Sequence, residues 1–129
     1  MNKTNILPKK FKEIIKKDKK IIAVFLFGSY VKEEYHRDID ICLVLDKTYS
    51  KKEMAKIMIE YSGIVSDKFD VSVFQLLPIY IRNRILKEGK IILCKDENFL
   101  YEIAYSTIKE FNLFKKIYHT YLEGVKNEK

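Results

Sequence analysis

Three aspartates stand at the mouths of apolar runs. Asp38 and Asp40 open the run Ile41-Cys42-Leu43-Val44-Leu45, and Asp70 opens Val71-Ser72-Val73-Phe74. Side chains alternate across a strand, so Asp38 and Asp40 project to the same face. Carboxylates that close repel each other and desolvate poorly beside apolar neighbours. A divalent cation relieves both problems. Mg²⁺ suits the role because it takes carboxylate oxygens and leaves room for phosphate. Taken alone, an Asp-x-Asp pair also describes a solvated strand end. Asp70 joins the pair if its strand lies beside the first. Asp67 precedes the apolar alternation and is the weaker candidate.

A fourth feature is Gly28-Ser29, directly after Ile21-Ile22-Ala23-Val24-Phe25-Leu26-Phe27. Glycine permits a tight turn and a close approach by phosphate. The serine hydroxyl and the N–H groups after it can hold an anion. On its own the pair is equally a plain turn. Together the four features fit one chemistry, in which Gly28 and Ser29 hold a nucleotide's triphosphate. Asp38 and Asp40 hold a Mg²⁺ that bridges it, and Asp70 completes a second Mg²⁺ position and activates an attacking hydroxyl. Two ions roughly 4 Å apart stabilise the attacking and leaving oxygens of an in-line displacement. Pyrophosphate leaves, and the reaction is nucleotidyl transfer without a covalent enzyme intermediate.

Such a site needs strands that end side by side. The runs 21–27 and 39–45 read as buried strands. Phe69 to Leu76 reads as a third strand and Lys90 to Cys94 as a fourth. A short amphipathic helix fits from about Pro8 to Lys17, with Asp18-Lys19-Lys20 as a polar break after it. Ser50 with Glu53 makes a capping box for a helix that stops at Gly63. Pro78 opens another helix through Lys87, closed by Gly89. A helical pattern runs from Glu97 to Glu123. In it Leu100, Ile103, Ala104, Ile108, Phe111, Phe114, Tyr118, Tyr121 and Leu122 share one broad face, with Asn112 as a possible interruption. The order predicts an α/β (α+β) fold, a small mixed β-sheet packed by helices, in one domain over residues 1–129.

The 129 residues are 47% hydrophobic, enough for a core. No apolar run reaches the roughly 18–20 residues of a membrane span, and the first residues lack a signal-peptide pattern. A cytoplasmic protein is expected. Cys42 and Cys94 lie in apolar runs and read as buried small hydrophobes, while His36 and His119 are isolated, so no zinc site assembles. Of the formal charge of +7, residues 1–20 carry eight lysines against Glu13 and Asp18. That segment is either a solvated helix face or a contact for nucleic acid or an acidic partner.

Leu26-Phe27-Gly28-Ser29-Tyr30, Asp38-Ile39-Asp40 and Phe69-Asp70-Val71 resemble the polymerase-β-like nucleotidyltransferase superfamily. Within it the chain is similar to the minimal nucleotidyltransferase (MNT) group. The likeness continues through residues 77–90 and into the aromatic tail. It implies the polymerase-β-like nucleotidyltransferase fold, with Asp38, Asp40 and Asp70 on Mg²⁺ and Gly28 and Ser29 on the nucleotide. Many members of the group are antitoxins of a HEPN-domain RNase toxin, and some transfer AMP from ATP to a tyrosine of that toxin. The resemblance implies both activity and partner. None of Arg37, Arg82 or Arg84 has a histidine at the spacing of the HEPN nuclease motif, so the nuclease is not in this chain.

Two features depart from the group. The segment Tyr30–Arg37 is short, and Glu33 or Glu34 stands where a glycine is usual. Arg37, in place of a serine, either reaches a phosphate or is a solvated loop residue. Two other readings are kept: an antitoxin that neutralises its partner by contact alone, and a transferase acting on RNA or a small molecule.

Overall fold

The computed structural model describes residues 6–28 and 38–127. Helix α1 (Lys9–Lys17) leads into strand β1 (Ile21–Phe27), and strand β2 (Ile39–Leu45) precedes helix α2 (Lys51–Ser62). Strand β3 (Phe69–Val73), helix α3 (Ile79–Glu88), strand β4 (Lys90–Cys94) and helix α4 (Glu97–Asn127) complete the chain. The sheet order is β3-β2-β1-β4. β1 pairs antiparallel with β2 and β4, whereas β2 and β3 run parallel. The mixed sheet packed by helices is the architecture expected from the order of elements.

Alternation along the two central strands divides the core in two. Val24, Leu26, Ile39, Ile41, Leu43 and Leu45 face one side and pack with Phe11 and Ile15 of α1 and Met54, Ile57 and Tyr61 of α2. Ala23, Phe25, Cys42 and Val44 face the other, with Ile85 of α3 and Leu100 of α4. The central strands are therefore apolar on both faces, which explains their unbroken hydrophobic runs. Cys42 is a buried free thiol within the second cluster.

Local chemistry sets the ends of the elements. Ser50 accepts from the Glu53 amide at 3.1 Å as the α2 N-cap. Asp18, the polar break, is the C-cap of α1 and a tie point. Its carboxylate accepts from the Tyr61 hydroxyl at 2.6 Å and from the Lys20 amide at 3.0 Å. Its carbonyl accepts from Lys95 Nζ at 2.8 Å. Burial and this acceptor both push the Tyr61 phenol above its ordinary range.

Two elements differ from the sequence reading. The third strand ends at Val73, and Phe74–Leu76 form a 3₁₀ turn. The cause is Gln75, whose side-chain amide takes the place of the missing strand backbone. Leu45 N–H donates to Gln75 Oε1 at 3.1 Å, and Gln75 Nε2 donates to Leu45 O at 2.9 Å. We expect Gln75→Leu to leave both backbone groups of Leu45 without partners, at a cost of about 1–3 kcal/mol. Urea denaturation would show this as a lower midpoint at unchanged slope. The last helix also differs. Asn112 does not interrupt it, and it continues past Glu123 to Asn127. Its apolar face does not stay in the core: Leu100 and Thr107 are buried, but every residue from Asn112 to Asn127 is exposed. The sheet's second face is filled by the first turns of α4, and the rest of the helix extends past it.

Candidate active site

β1 delivers the chain to Gly28, whose φ of 83° lies in the left-handed region. Phe27, just before it, pairs with Asp40 at the start of β2. A Cβ on Gly28 would overlap Asp40 Oδ2 outright and lie 3.2 Å from its Cγ. Glycine here is therefore fixed twice, by the backbone angle and by the carboxylate lying against it.

The parallel register of β2 and β3 places Asp40 directly opposite Asp70. Residues opposite each other in adjacent strands point to the same face, so both carboxylates lie on the side of Cys42 and Val44, toward α3 and α4. The register is pinned at this end by the Ile39 amide donating to Lys68 O at 2.8 Å. One step along, Ser72 Oγ donates to Ile41 O at 3.3 Å. Asp38 sits at the bend before β2, exposed, and its charge reaches Asp40. Asp70 is also exposed, whereas Asp40 between them is partly buried.

Burial raises the Asp40 carboxyl above the usual carboxylate range, and the negative charges of Asp70 and Asp38 raise it further. Among the described residues no lysine or arginine forms an ion pair with Asp40. This concentration of uncompensated negative charge on oxygen donors fits a hard divalent cation such as Mg²⁺. The acids are neighbours rather than a closed ligand shell. Among the described residues, no group of three or more His, Cys, Asp and Glu side chains is gathered tightly enough to hold an ion.

Of the residues singled out from sequence, Gly28, Asp40 and Asp70 stand together, with Asp38 beside them. Ser29 and Arg37 lie outside the described residues. The contact between Gly28 and Asp40 was not visible in the sequence, because it depends on the pairing of Phe27 with Asp40. A cleft of about 270 Å³ lies elsewhere, lined by Lys47, Phe74, Gln75, Arg82, Phe99 and Thr107 among others. It lies beyond the far end of β2 and includes none of the three acids. Arg82 within it is held by Leu77 O at 3.0 Å and Glu110 at 2.8 Å. No helix among the described residues is long and apolar enough to cross a membrane.

Comparison with known proteins points the same way. The family model described as polymerase beta, nucleotidyltransferase matches residues 9–98. A Methanocaldococcus jannaschii chain named as a candidate protein adenylyltransferase is 40% identical over 77 residues, covering 57% of this chain. The present chain spans about half the length of that relative, 56%. Among solved structures, a chain from a toxin–antitoxin crystal structure with AMP-PNP superposes with a TM-score of 0.68 at 18% identity. It covers 92% of this chain and 98% of its own length. A chain from the complex of a tri-AMPylated Shewanella oneidensis HEPN toxin with an MNT antitoxin gives a TM-score of 0.63 at 18% identity. There the coverage is 89% of this chain and 94% of the other. At these identities the structural likeness is one of fold.

Proposed function

Because the chain belongs to the polymerase beta nucleotidyltransferase family, we propose that it transfers AMP from ATP to a hydroxyl of a protein partner. The partner we infer is a HEPN-domain RNase toxin and the acceptor one of its tyrosines. The observation that carries the chemistry is the in-register pair Asp40 and Asp70, with Asp38 at its side and Gly28 against it. The names of the relatives support the choice of AMP and of a toxin partner.

In this reading Asp38, Asp40 and Asp70 hold Mg²⁺, with two ions the expected number. When bound, the metal neutralises phosphate charge and draws the triphosphate to the carboxylates. The turn at Gly28 brings the backbone close to the phosphates, and Ser29 donates its hydroxyl to one of their oxygens. Asp70, the more exposed of the paired acids, faces the incoming acceptor and takes its proton. The acceptor oxygen bonds to the α-phosphorus, the bond from that phosphorus to the bridging oxygen breaks, and pyrophosphate departs.

The direct test incubates the chain with Mg²⁺, α-labelled ATP and a HEPN toxin from the same genome. Label on a toxin tyrosine is the expected result. Neutralisation of the toxin without label, by wild type and Asp40→Asn alike, would leave contact alone as the mode of action. Label on RNA or a small molecule and none on protein would move the acceptor class. For Ser29 the expectation is graded. One hydrogen bond to a charged group is worth about 1.5–3 kcal/mol, so Ser29→Ala should lose roughly 10- to 100-fold in kcat/KM. Unchanged kinetics would return Gly28-Ser29 to a turn without a nucleotide role.

A further inference from the structure

Helices α1 and α2 cover the sheet face opposite Asp40 and Asp70. They touch each other there, with the rings of Phe11 and Tyr61 edge to face at 5.7 Å. Residues 9–20 hold seven lysines against Glu13 and Asp18, and residues 51–62 hold three against Glu53 and Glu60. These two segments thus carry +6 of the chain's formal +7. The apolar side of α1 is buried, so Lys9, Lys12 and Lys16, at steps of three and four, line up on the side away from the sheet. Lys52 and Lys56 do the same on α2, where Met54, Ile57 and Tyr61 are buried. Two of the four acids are already engaged. Asp18 accepts from Tyr61 and from the Lys20 amide, and Glu53 stands 3.9 Å from Lys20 Nζ. Among the described residues that is the one ion pair on these two segments.

We infer that this face binds the sugar-phosphate backbone of a nucleic acid, on the side of the sheet away from the candidate active site. A nucleic acid, an acidic protein and an anionic membrane all attract a basic face, and the residue types select the first. All ten cations are lysines. Lysine is a mobile point charge that suits phosphate, whereas protein interfaces are depleted in lysine and enriched in arginine and aromatic rings. The two rings of these helices, Phe11 and Tyr61, are both buried. A membrane-surface helix needs a free apolar side to sink into lipid. That of α1 is packed on the sheet, and Ile59 is the one large apolar side chain that α2 exposes. The segments also lack arginine, asparagine and glutamine, the residues best suited to bidentate reading of base edges. Contact therefore stays with the phosphates, and binding follows charge rather than sequence.

The inference does not rest on the transferase reading, because this contact needs neither metal nor ATP. The test is fluorescence anisotropy of the full chain in EDTA, with a labelled single-stranded RNA and a labelled duplex DNA of mixed sequence. With about five phosphates contacted, affinity should fall roughly 100- to 500-fold between 50 and 200 mM salt. The quadruple variant Lys9→Gln, Lys16→Gln, Lys52→Gln, Lys56→Gln should reduce that dependence to less than about 10-fold. A second quadruple variant, Lys109→Gln, Lys115→Gln, Lys116→Gln, Lys126→Gln, removes equal charge from α4 and should keep the salt dependence of wild type. All eight positions are exposed, so circular dichroism should not change in either variant. Binding of either probe with this pattern supports the inference, and the ratio of the two affinities tells which backbone the face prefers. Failure of wild type to bind either probe at low salt would overturn it and leave the lysines a solvated face. So would a wild-type affinity that salt does not weaken, or equal losses in the two variants, which would trace binding to net charge. Capture by phosphatidylserine vesicles or by polyglutamate, with neither nucleic acid bound, would also overturn it.

Discussion

Asp40→Asn should abolish transfer and, in metal-free buffer at neutral pH, make the protein more stable. The two effects share one cause. Asp40 is the partly buried acid between two others, and burial and their charge together raise its carboxyl. For an acid whose folded pKa is raised, the folded state favours the protonated form. The penalty is absent below the ordinary carboxylate range and grows as pH rises through the folded pKa. At neutral pH, asparagine keeps the shape and removes the penalty, so its melting temperature should exceed that of wild type. The gap should close as pH falls toward 3.8, the ordinary value for this carboxyl. Added Mg²⁺ should raise wild type more than the variant. Transfer, by contrast, should fall by about 10²–10³-fold or more, the scale seen when a preorganised electrostatic group is lost. A variant that is no more stable than wild type at neutral pH would mean that the acids do not oppose one another. A variant with substantial activity would remove Asp40 from the chemistry.

Gly28→Ala is expected to damage both properties. The added methyl would occupy the space of Asp40 Oδ2, at a backbone angle that disfavours any Cβ. The angle alone costs about 1–2 kcal/mol. The clash is relieved only if the Asp40 carboxylate turns away or the end of β1 separates from β2. We expect a melting temperature several degrees lower and activity reduced by more than about 100-fold. A 1 Å displacement at a reacting centre is sufficient for that. Gly63→Ala is the control, since a Cβ there meets nothing nearer than 3.5 Å. Similar losses in both variants would show a general sensitivity to glycine replacement rather than a contact specific to Asp40.

The strands and helices were legible from sequence because the local signals agreed with the tertiary demand. Ile21–Phe27 and Ile39–Leu45 are apolar without interruption because both of their faces are covered. Ser50, Gly63, Pro78 and Gly89 mark helix ends that the structure reproduces. The place of Asp40 at the mouth of β2 was legible from the apolar run behind it, whereas Asp38 falls in the bend before the strand. The position of Asp70 was not legible, since nothing local says which strand β3 joins. Gln75 was illegible for a related reason: its amide replaces backbone pairing with a residue thirty positions away. The aromatic tail was legible only as one broad apolar face, because periodicity reports that a face is apolar, not what covers it. Its first turns meet the sheet and its later turns meet nothing in the described chain.

The parallel pairing of β2 with β3 has a consequence in time. β1 and β2 are successive strands, but Asp70 reaches Asp40 only after α2 has crossed over and β3 has docked at the sheet's edge. Non-local parallel contacts form late because chain closure precedes their reward. A growing chain therefore carries two of its three acids in place before the third arrives. In the proposed reading transfer stays silent until the edge strand settles, and a slip of one residue would present Phe69 or Val71 where Asp70 belongs. Pulsed hydrogen exchange should find the β3 amides gaining protection no later than transfer activity appears during refolding. Activity that precedes that protection would show the chemistry to be independent of the edge strand.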